Sequence, residues 1–172
     1  MASLGPTLIN SYTVGSGGAS SVVFNSIPQT YTDLLMKFSV QTNRGTFSSD
    51  PIYIYPNGLS SSLTGITLFN ANGNVGSNTE SFGVEAENNI FGSNYFGNGE
   101  VYLTNYSSSS NYKNWLGASA VDSNVSSGQM NYVGINTGLW SSTSAITSIT
   151  FNKLGSLFNQ YSTFYLYGIV KQ

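Results

Sequence analysis

The segments Ala145–Asn152, AITSITFN, and Ser162–Val170, STFYLYGIV, decide the fold class of this chain. In the first segment polar and apolar residues alternate, and a period of two indicates a β-strand with one buried side. Residues 145, 147, 149 and 151 are expected to share that side. In the second segment Phe164 and Leu166 alternate with Tyr165 and Tyr167. Because both sides are apolar or aromatic, we expect a central strand that is covered on both faces.

The rest of the chain continues the pattern in short β-prone segments: residues 7–14, 20–27, 33–42, 52–55, 66–70, 81–91, 100–106, 115–121 and 130–139. The Gly-rich residues 15–18 between the first two segments favour a hairpin. Over Asp33–Thr42 a helix is the competing interpretation, since its Leu-Leu-Met-Lys residues form helices well. Alternation over the whole run favours a strand.

Turn signals recur throughout, and residues 70–79, NANGNVGSNT, are expected to be the least ordered stretch. Many short strands separated by turns predict an all-β fold, an antiparallel β-sandwich that is jelly-roll-like. A chain of 172 residues fits a single domain, residues 1–172, with residues 1–6 as an N-terminal arm. Trp140 is expected in its core.

The composition is unusual because charged residues make up 7% of the chain, against about 25% in ordinary soluble domains. Serine, asparagine, threonine and glycine replace them, and aromatic residues reach 14%. Low charge suits a subunit that meets other protein surfaces or uncharged sugars. The net charge of −2 and the scattered five cations argue against nucleic acid. No segment is long and apolar enough to predict a membrane span, and no secretion signal is recognised.

Catalytic chemistry has little support in the sequence. Histidine and cysteine are both absent, which excludes Ser-His-Asp and thiol mechanisms and most transition-metal sites. Glu85 and Glu87 lie two residues apart in a predicted strand, so their side chains would share one face, with Cα atoms about 7 Å apart. Such a pair could act as the two carboxylates of a glycosidase. The alternative is that both lie on a solvated strand face. The acidic residues Asp33, Asp50 and Asp122 stand alone and suit structural roles. We therefore predict a protein that is not an enzyme and that has no cofactor or metal.

Aromatic side chains near the middle of the chain are the candidate contact residues. They fall in or beside the loops between Asn94 and Trp115: Tyr95, Phe96, Tyr106, Tyr112 and Trp115. Tyrosine and tryptophan on loops are enriched at interfaces, and neighbouring Asn and Ser can bind sugar hydroxyls. The alternative is that these rings close the ends of the sandwich as part of the core. Both interpretations stay open on the sequence alone.

Four segments of the sequence resemble those of a known protein family. They are SYTVGSGGASSVVFNSIPQTYTDLLMKFSV, residues 11–40; GEVYLTNYSSSSNYKNW, residues 99–115; SSTSAITSITF, residues 141–151; and QYSTFYLYGIV, residues 160–170. Together they resemble β-rich, jelly-roll-like virion structural proteins of tailed bacteriophages, especially phages of marine bacteria. The resemblance implies a part of a phage particle, assembled in the cytoplasm of a bacterial host. It implies no chemistry.

Two positions on the particle fit this expectation. The first is a capsid decoration or cement protein, or another head-attached subunit, that binds other virion proteins as a homo-oligomer or in a lattice. The alternative is the receptor-binding tip of a tail fibre or spike that recognises a host surface glycan. Strand patterning starts by Thr7 and no heptad repeat precedes it, whereas a fibre normally needs an elongated shaft. The sequence therefore favours the head subunit.

Overall fold

The computed structural model describes residues 5–45, 49–79, 83–88, 94–122 and 131–170. These residues form twelve β-strands and, within the described ranges, no helix. The strands are β1 Thr7–Thr13, β2 Ser21–Phe24, β3 Asp33–Thr42, β4 Ser49–Pro56, β5 Leu63–Ala71, β6 Asn74–Thr79, β7 Gly83–Asn88, β8 Gly97–Leu103, β9 Lys113–Asp122, β10 Asn131–Trp140, β11 Ile149–Asn152 and β12 Thr163–Ile169. The all-β prediction is confirmed, and the helical alternative for Asp33–Thr42 is wrong.

The strands form two antiparallel sheets that pack face to face. The larger sheet has the order β1-β12-β3-β8-β9-β10-β5-β6, and the smaller has the order β2-β11-β4-β7. A short parallel pairing joins the two sheets where the end of β3, at Gln41 and Thr42, meets β7. The predicted antiparallel β-sandwich is therefore confirmed.

Aromatic rings fill the space between the sheets. Phe151 on β11 contacts Phe24, Phe38 and Phe164, with ring centroids 6.0, 6.5 and 4.9 Å away. Phe164 also meets Phe158 edge-on at 4.9 Å. Edge-to-face and tilted pairs at these distances add to the hydrophobic gain of burial. Trp140 is buried as expected.

Strand β12 is central, as predicted, because it pairs with β1 on one side and β3 on the other. Its inner side chains Phe164 and Leu166 are fully buried. The expectation that both faces are covered is wrong: Tyr165 and Tyr167 are only half-buried. Their rings lie 6.4 Å apart on the outer face, where they stack beside each other.

Only the second half of the Ala145–Asn152 segment is a strand, β11. The side chain of Asn57 accepts hydrogen bonds from the backbone of Thr147 and Ser148, at 2.8 and 3.2 Å. This contact holds the first half in a loop and interrupts the period of two. Ile146 is consequently buried while Thr147 is exposed, so the predicted common face of residues 145–151 is wrong.

Two loop predictions are also corrected. Residues 70–79 form a hairpin rather than a disordered stretch, with β5 and β6 joined at Asn72-Gly73. Both turn residues have positive φ, 53° and 83°, which is the geometry that Asn-Gly dipeptides favour. The Gly-rich residues 15–18 do not close a hairpin, because β1 pairs with β12 while β2 pairs with β11 in the other sheet. The remainder of the predicted strand 81–91, beyond β7, lies outside the described residues, as does Met130.

Candidate functional site

The five aromatic contact candidates lie at opposite ends of the sandwich. Tyr95 and Phe96 precede the first residue of β8, whereas Tyr106, Tyr112 and Trp115 follow its last residue. A strand of this length separates its ends by about 20 Å. The expectation of one contact region between Asn94 and Trp115 is therefore corrected: closeness in sequence does not bring these rings together.

For two of these residues the structure favours the core alternative. Tyr106 is fully buried and its hydroxyl donates to the carbonyl of Pro28. Burial raises the pKa of this hydroxyl. Trp115 is 3% exposed, and its ring lies against Gly138, where it leaves no room for a Cβ. Neither ring is available to a partner. Tyr112 is 52% exposed, and Tyr95 and Phe96 are half-buried.

The carboxylates form no recognisable catalytic site in the described part of the chain. Glu85 is half-buried in β7, and its backbone N–H donates to the hydroxyl of Ser119 at 3.2 Å. The side chain of Glu87 lies outside the described residues. Among the residues that the structure describes, no group of three or more potential metal-ligating side chains occurs.

Asp50 is the centre of a buried ion-pair network. Its Oδ1 lies 2.5 Å from Nζ of Lys153 and 2.8 Å from Nη1 of Arg44. Its Oδ2 accepts hydrogen bonds from Thr42 and Ser156 at 2.8 and 2.9 Å. Asp50 is fully buried and Lys153 is 3% exposed. A buried carboxylate with partners on both oxygens has a structural role.

Lys113 is a second buried cation with a structural environment. Its Nζ donates to the carbonyls of Ser108, Ser142 and Ser144, at 2.7, 3.3 and 2.6 Å. The same atom lies 5.6 Å from the ring centroid of Trp140. Desolvation lowers the pKa of Lys113. The lysine joins the loop after β8 to the loop after β10 and presents no free amine on the surface.

Asp33, the first residue of β3, is also buried and hydrogen-bonded. Its carboxylate accepts the hydroxyl of Tyr102 at 2.5 Å and the backbone N–H of Asn105 at 2.8 Å. The hydrogen bond to Asp33 is the main cause that raises the pKa of Tyr102 from 10.0 to about 12, followed by desolvation and the charge of Asp33. Folding therefore favours the protonated phenol.

This shift predicts a loss of stability in alkaline solution. Unfolded chains release the Tyr102 proton near pH 10.0, whereas the folded protein keeps it until about pH 12. The stability that the protonated Tyr102 phenol contributes to the folded state is thus complete below pH 10.0, and it is lost as the pH rises through about 12. Urea unfolding across this range should show a shallower decline for Tyr102→Phe than for the natural protein. Equal slopes would contradict the assignment.

The outer face of the larger sheet carries the most unusual side-chain pattern. On β5, β9 and β10 the exposed positions towards the middle of the strands are apolar, with polar ones towards the strand ends; the large apolar ones are Ile66, Leu68, Leu116, Val133 and Ile135, each 53–61% exposed. Register places Ile135 opposite Leu68 and opposite Ala118, so these strands contribute to one continuous face. We call this surface the apolar face.

The inward positions of the same strands combine large apolar residues, Trp115, Val121, Tyr132 and Trp140, with small or polar ones. Gly134 and Asn136 of β10 are buried, as are Gly117 and Ser119 of β9. Asn136 donates from its side chain to the carbonyl of Gly83 across the sandwich. Apolar side chains therefore occur on the outer face as well as the inner one, whereas a sheet with one solvated face usually carries polar residues outside. Exposed apolar patches of this kind mark interaction sites.

A groove with a volume of about 560 Å³ runs along the side of the apolar face. Ala118, Ala120 and Val133 line one side and Tyr165 and Tyr167 the other. Lys37 of β3 and Glu100 of β8 also line it, and they form an ion pair at 3.2 Å with both side chains about half exposed. The two charges beside the apolar face therefore neutralise each other.

Sequence reasoning did not identify the apolar face. In β10, NYVGINTG, the alternation of Val133 and Ile135 with glycine and asparagine was visible. It predicted a strand but gave no reason to place its apolar side outward.

Comparison with known proteins finds no matching family model, no matching curated protein and no matching solved structure. No described segment is a helix with the length and hydropathy of a membrane span.

Proposed function

We propose that this chain is a non-enzymatic structural subunit on the exterior of a bacteriophage particle, most consistent with a capsid decoration or cement protein. The observation that carries the proposal is the set of exposed apolar side chains on the outer face of β5, β9 and β10. A sheet of this kind is stable in water when a protein partner covers it. The assignment to a phage particle rests on the resemblance of the sequence to virion proteins.

We propose further that the sandwich is a jelly roll with two inserted hairpins. Strands β1, β2, β3 and β4 pair with β12, β11, β8 and β7 respectively. This nested order, first with last and inward, is what a jelly roll requires. The remaining strands, β5-β6 and β9-β10, extend the larger sheet beyond β8. The insertions supply most of the apolar face.

The partner that we assign to the apolar face is a second copy of the chain. The ion pair of Lys37 and Glu100 leaves the neighbouring strands β3 and β8 without an unpaired charge at that point, so two copies meet there without repulsion between like charges. Strands β5, β9 and β10 at about 4.8 Å spacing, over about 30 Å of strand length, cover roughly 430 Å². Stable complexes bury about 800 Å² per partner, so the contact extends onto the neighbouring strands β8 and β3, and a self-complementary face suits two-fold symmetry.

An averaged electron-microscopy image of the phage particle tests the location. Particles with the natural subunit and particles lacking it should differ in density on the outside of the head. A difference confined to the tail would favour the alternative. Identical particles would contradict a virion role.

The alternative function, recognition of a host surface glycan, is favoured by a separate feature. Phe96 lines a cleft whose other walls carry the amide side chains of Gln41, Asn43 and Asn159. Amide groups donate and accept hydrogen bonds at once, which matches sugar hydroxyls. The cleft lies where β3 ends.

A further inference from the structure

The cleft beside Phe96 contains no charged side chain among the described residues that line it. Its volume is about 560 Å³, and its principal walls are Gln41, Asn43, Asn94, Phe96, Asn159 and Tyr161. Two aromatic rings and several amides thus surround a space large enough for a sugar residue. A neutral lining disfavours ligands that need a charged partner, such as phosphates or acidic saccharides.

The amides at the base of this cleft are held in fixed orientations. Gln41 is 1% exposed. Its Nε2 donates to the carbonyl of Tyr95 at 2.7 Å, and its Oε1 accepts from Nδ2 of Asn159 at 2.8 Å. The same Nδ2 lies 3.2 Å from the carbonyl of Thr42. Gln41 is thus too buried to contact a ligand itself, but it orients Asn159, which is half-buried and lines the cleft. A polar group that is oriented before a ligand arrives loses less entropy on binding.

Tyr161, which lines the cleft, has a backbone conformation that glycine adopts more easily than tyrosine does. Its φ is +71°, in the left-handed region that is unfavourable for a bulky residue. Among the described residues the other non-glycine positions with positive φ are all asparagine or serine, which tolerate it more easily. The ring is 68% exposed, so core packing does not account for a tyrosine here.

The local structure is held by the backbone of Tyr161 rather than by its ring. Its N–H donates to the carbonyl of Val14 at 2.9 Å, and the N–H of Ser162 donates to Asn159 at 3.1 Å. A glycine would keep both bonds without the unfavourable backbone conformation. An exposed aromatic residue in a strained conformation points to a role outside folding.

We infer that this cleft binds an uncharged saccharide, with the Tyr161 ring stacked on the C–H face of one sugar and the amides of Asn43, Asn94 and Asn159 bound to its hydroxyls. Aromatic rings provide a large contact area with little loss of side-chain entropy. Fixed amides select the positions of the hydroxyls. The inference rests on the glycan-recognition alternative and is independent of the apolar face.

The test measures stability and binding on the same variant. The full chain is applied to an array of neutral hexose and N-acetylhexosamine oligosaccharides, and the strongest probe is titrated by calorimetry. Tyr161→Gly should weaken binding by about tenfold or more while its thermal unfolding midpoint stays equal to or above that of the natural protein. Tyr161→Phe should retain binding, since the ring remains.

Leu59→Ala is the matched control, because Leu59 is 49% exposed and does not line the cleft; its binding should be unchanged. The inference is overturned if no neutral oligosaccharide binds the natural protein, or if Tyr161→Gly binds as tightly as the natural protein. A lower unfolding midpoint for Tyr161→Gly would instead make the ring structural. Self-association measured on the same samples should be unaffected, which separates failure of this site from failure of the apolar face.

Discussion

Replacing Asp50 with alanine is expected to lower the free energy of unfolding by about 3 to 5 kcal/mol. The substitution removes the carboxylate that lies 2.5 Å from Lys153 and leaves that buried ammonium with the carbonyl of Pro51 as its remaining contact. Thr42 and Ser156 also lose their acceptor. A buried charge without its counter-charge is among the largest single losses of stability that a domain experiences.

Urea unfolding at neutral pH measures this loss. Glu100→Gln is the matched control, because the Lys37–Glu100 pair is about half exposed, and exposed pairs contribute only about 0 to 1 kcal/mol. Lys153→Met combined with Asp50→Leu should recover much of the stability, since the buried ammonium is then removed with its carboxylate, and Arg44, which also loses Asp50, is 36% exposed to water. If Asp50→Ala costs no more than Glu100→Gln, the network does not stabilise the fold.

Phe164→Ala is expected to cost a comparable amount, about 3 to 5 kcal/mol. Phe164 is fully buried, and its ring centroid lies 4.9 Å from those of both Phe151 and Phe158. Alanine would leave a cavity between the two sheets and remove both ring contacts. The whole stability of a domain is about 5 to 15 kcal/mol, so this variant should be close to unfolding.

Thermal melting followed by circular dichroism provides the measurement. Tyr112→Ala removes an aromatic ring that is 52% exposed and should melt close to the natural protein. Equal melting temperatures for the two variants would show that the packing around Phe164 contributes little to stability.

Period-two patterning predicted the fold class well because alternation is a local property of each strand. The segment now seen as β12 contains enough apolar residues on both sides to identify a central strand, and it has neighbours on both edges. The interruption before β11 was not predictable from alternation. It depends on the side chain of Asn57, which is remote in sequence and binds the backbone at Thr147 and Ser148.

The orientation of the strands was harder to predict than their existence. A period of two says that the two faces differ but not which one is inside. On β10 the inward positions include Gly134 and Asn136, while Val133 and Ile135 face outward. Tyr132 and Trp140 are also inward, so β10 is apolar on both faces, and only the three-dimensional register reveals the apolar face.

The prediction of the candidate contact residues was also limited, because sequence position does not determine where side chains lie in three dimensions. Sequence spacing grouped the five aromatics, although strand β8 places Phe96 and Tyr112 at opposite ends of the sandwich. Burial of Tyr106 and Trp115 depends on Pro28 and Gly138, which are distant in sequence. Tyr161 was not identified, because its backbone conformation cannot be read from residue type.

Sedimentation velocity of the purified chain, with and without Ile135→Glu, tests the central claim that the apolar face binds a second copy. The natural protein should sediment as an oligomer that dissociates on dilution, and Ile135→Glu should sediment as a folded monomer with an unchanged circular dichroism spectrum. Leu154→Glu, which places the same charge at a site 56% exposed away from the face, should remain oligomeric. A natural protein that is monomeric at every concentration, or an Ile135→Glu variant that associates as the natural protein does, would contradict the claim.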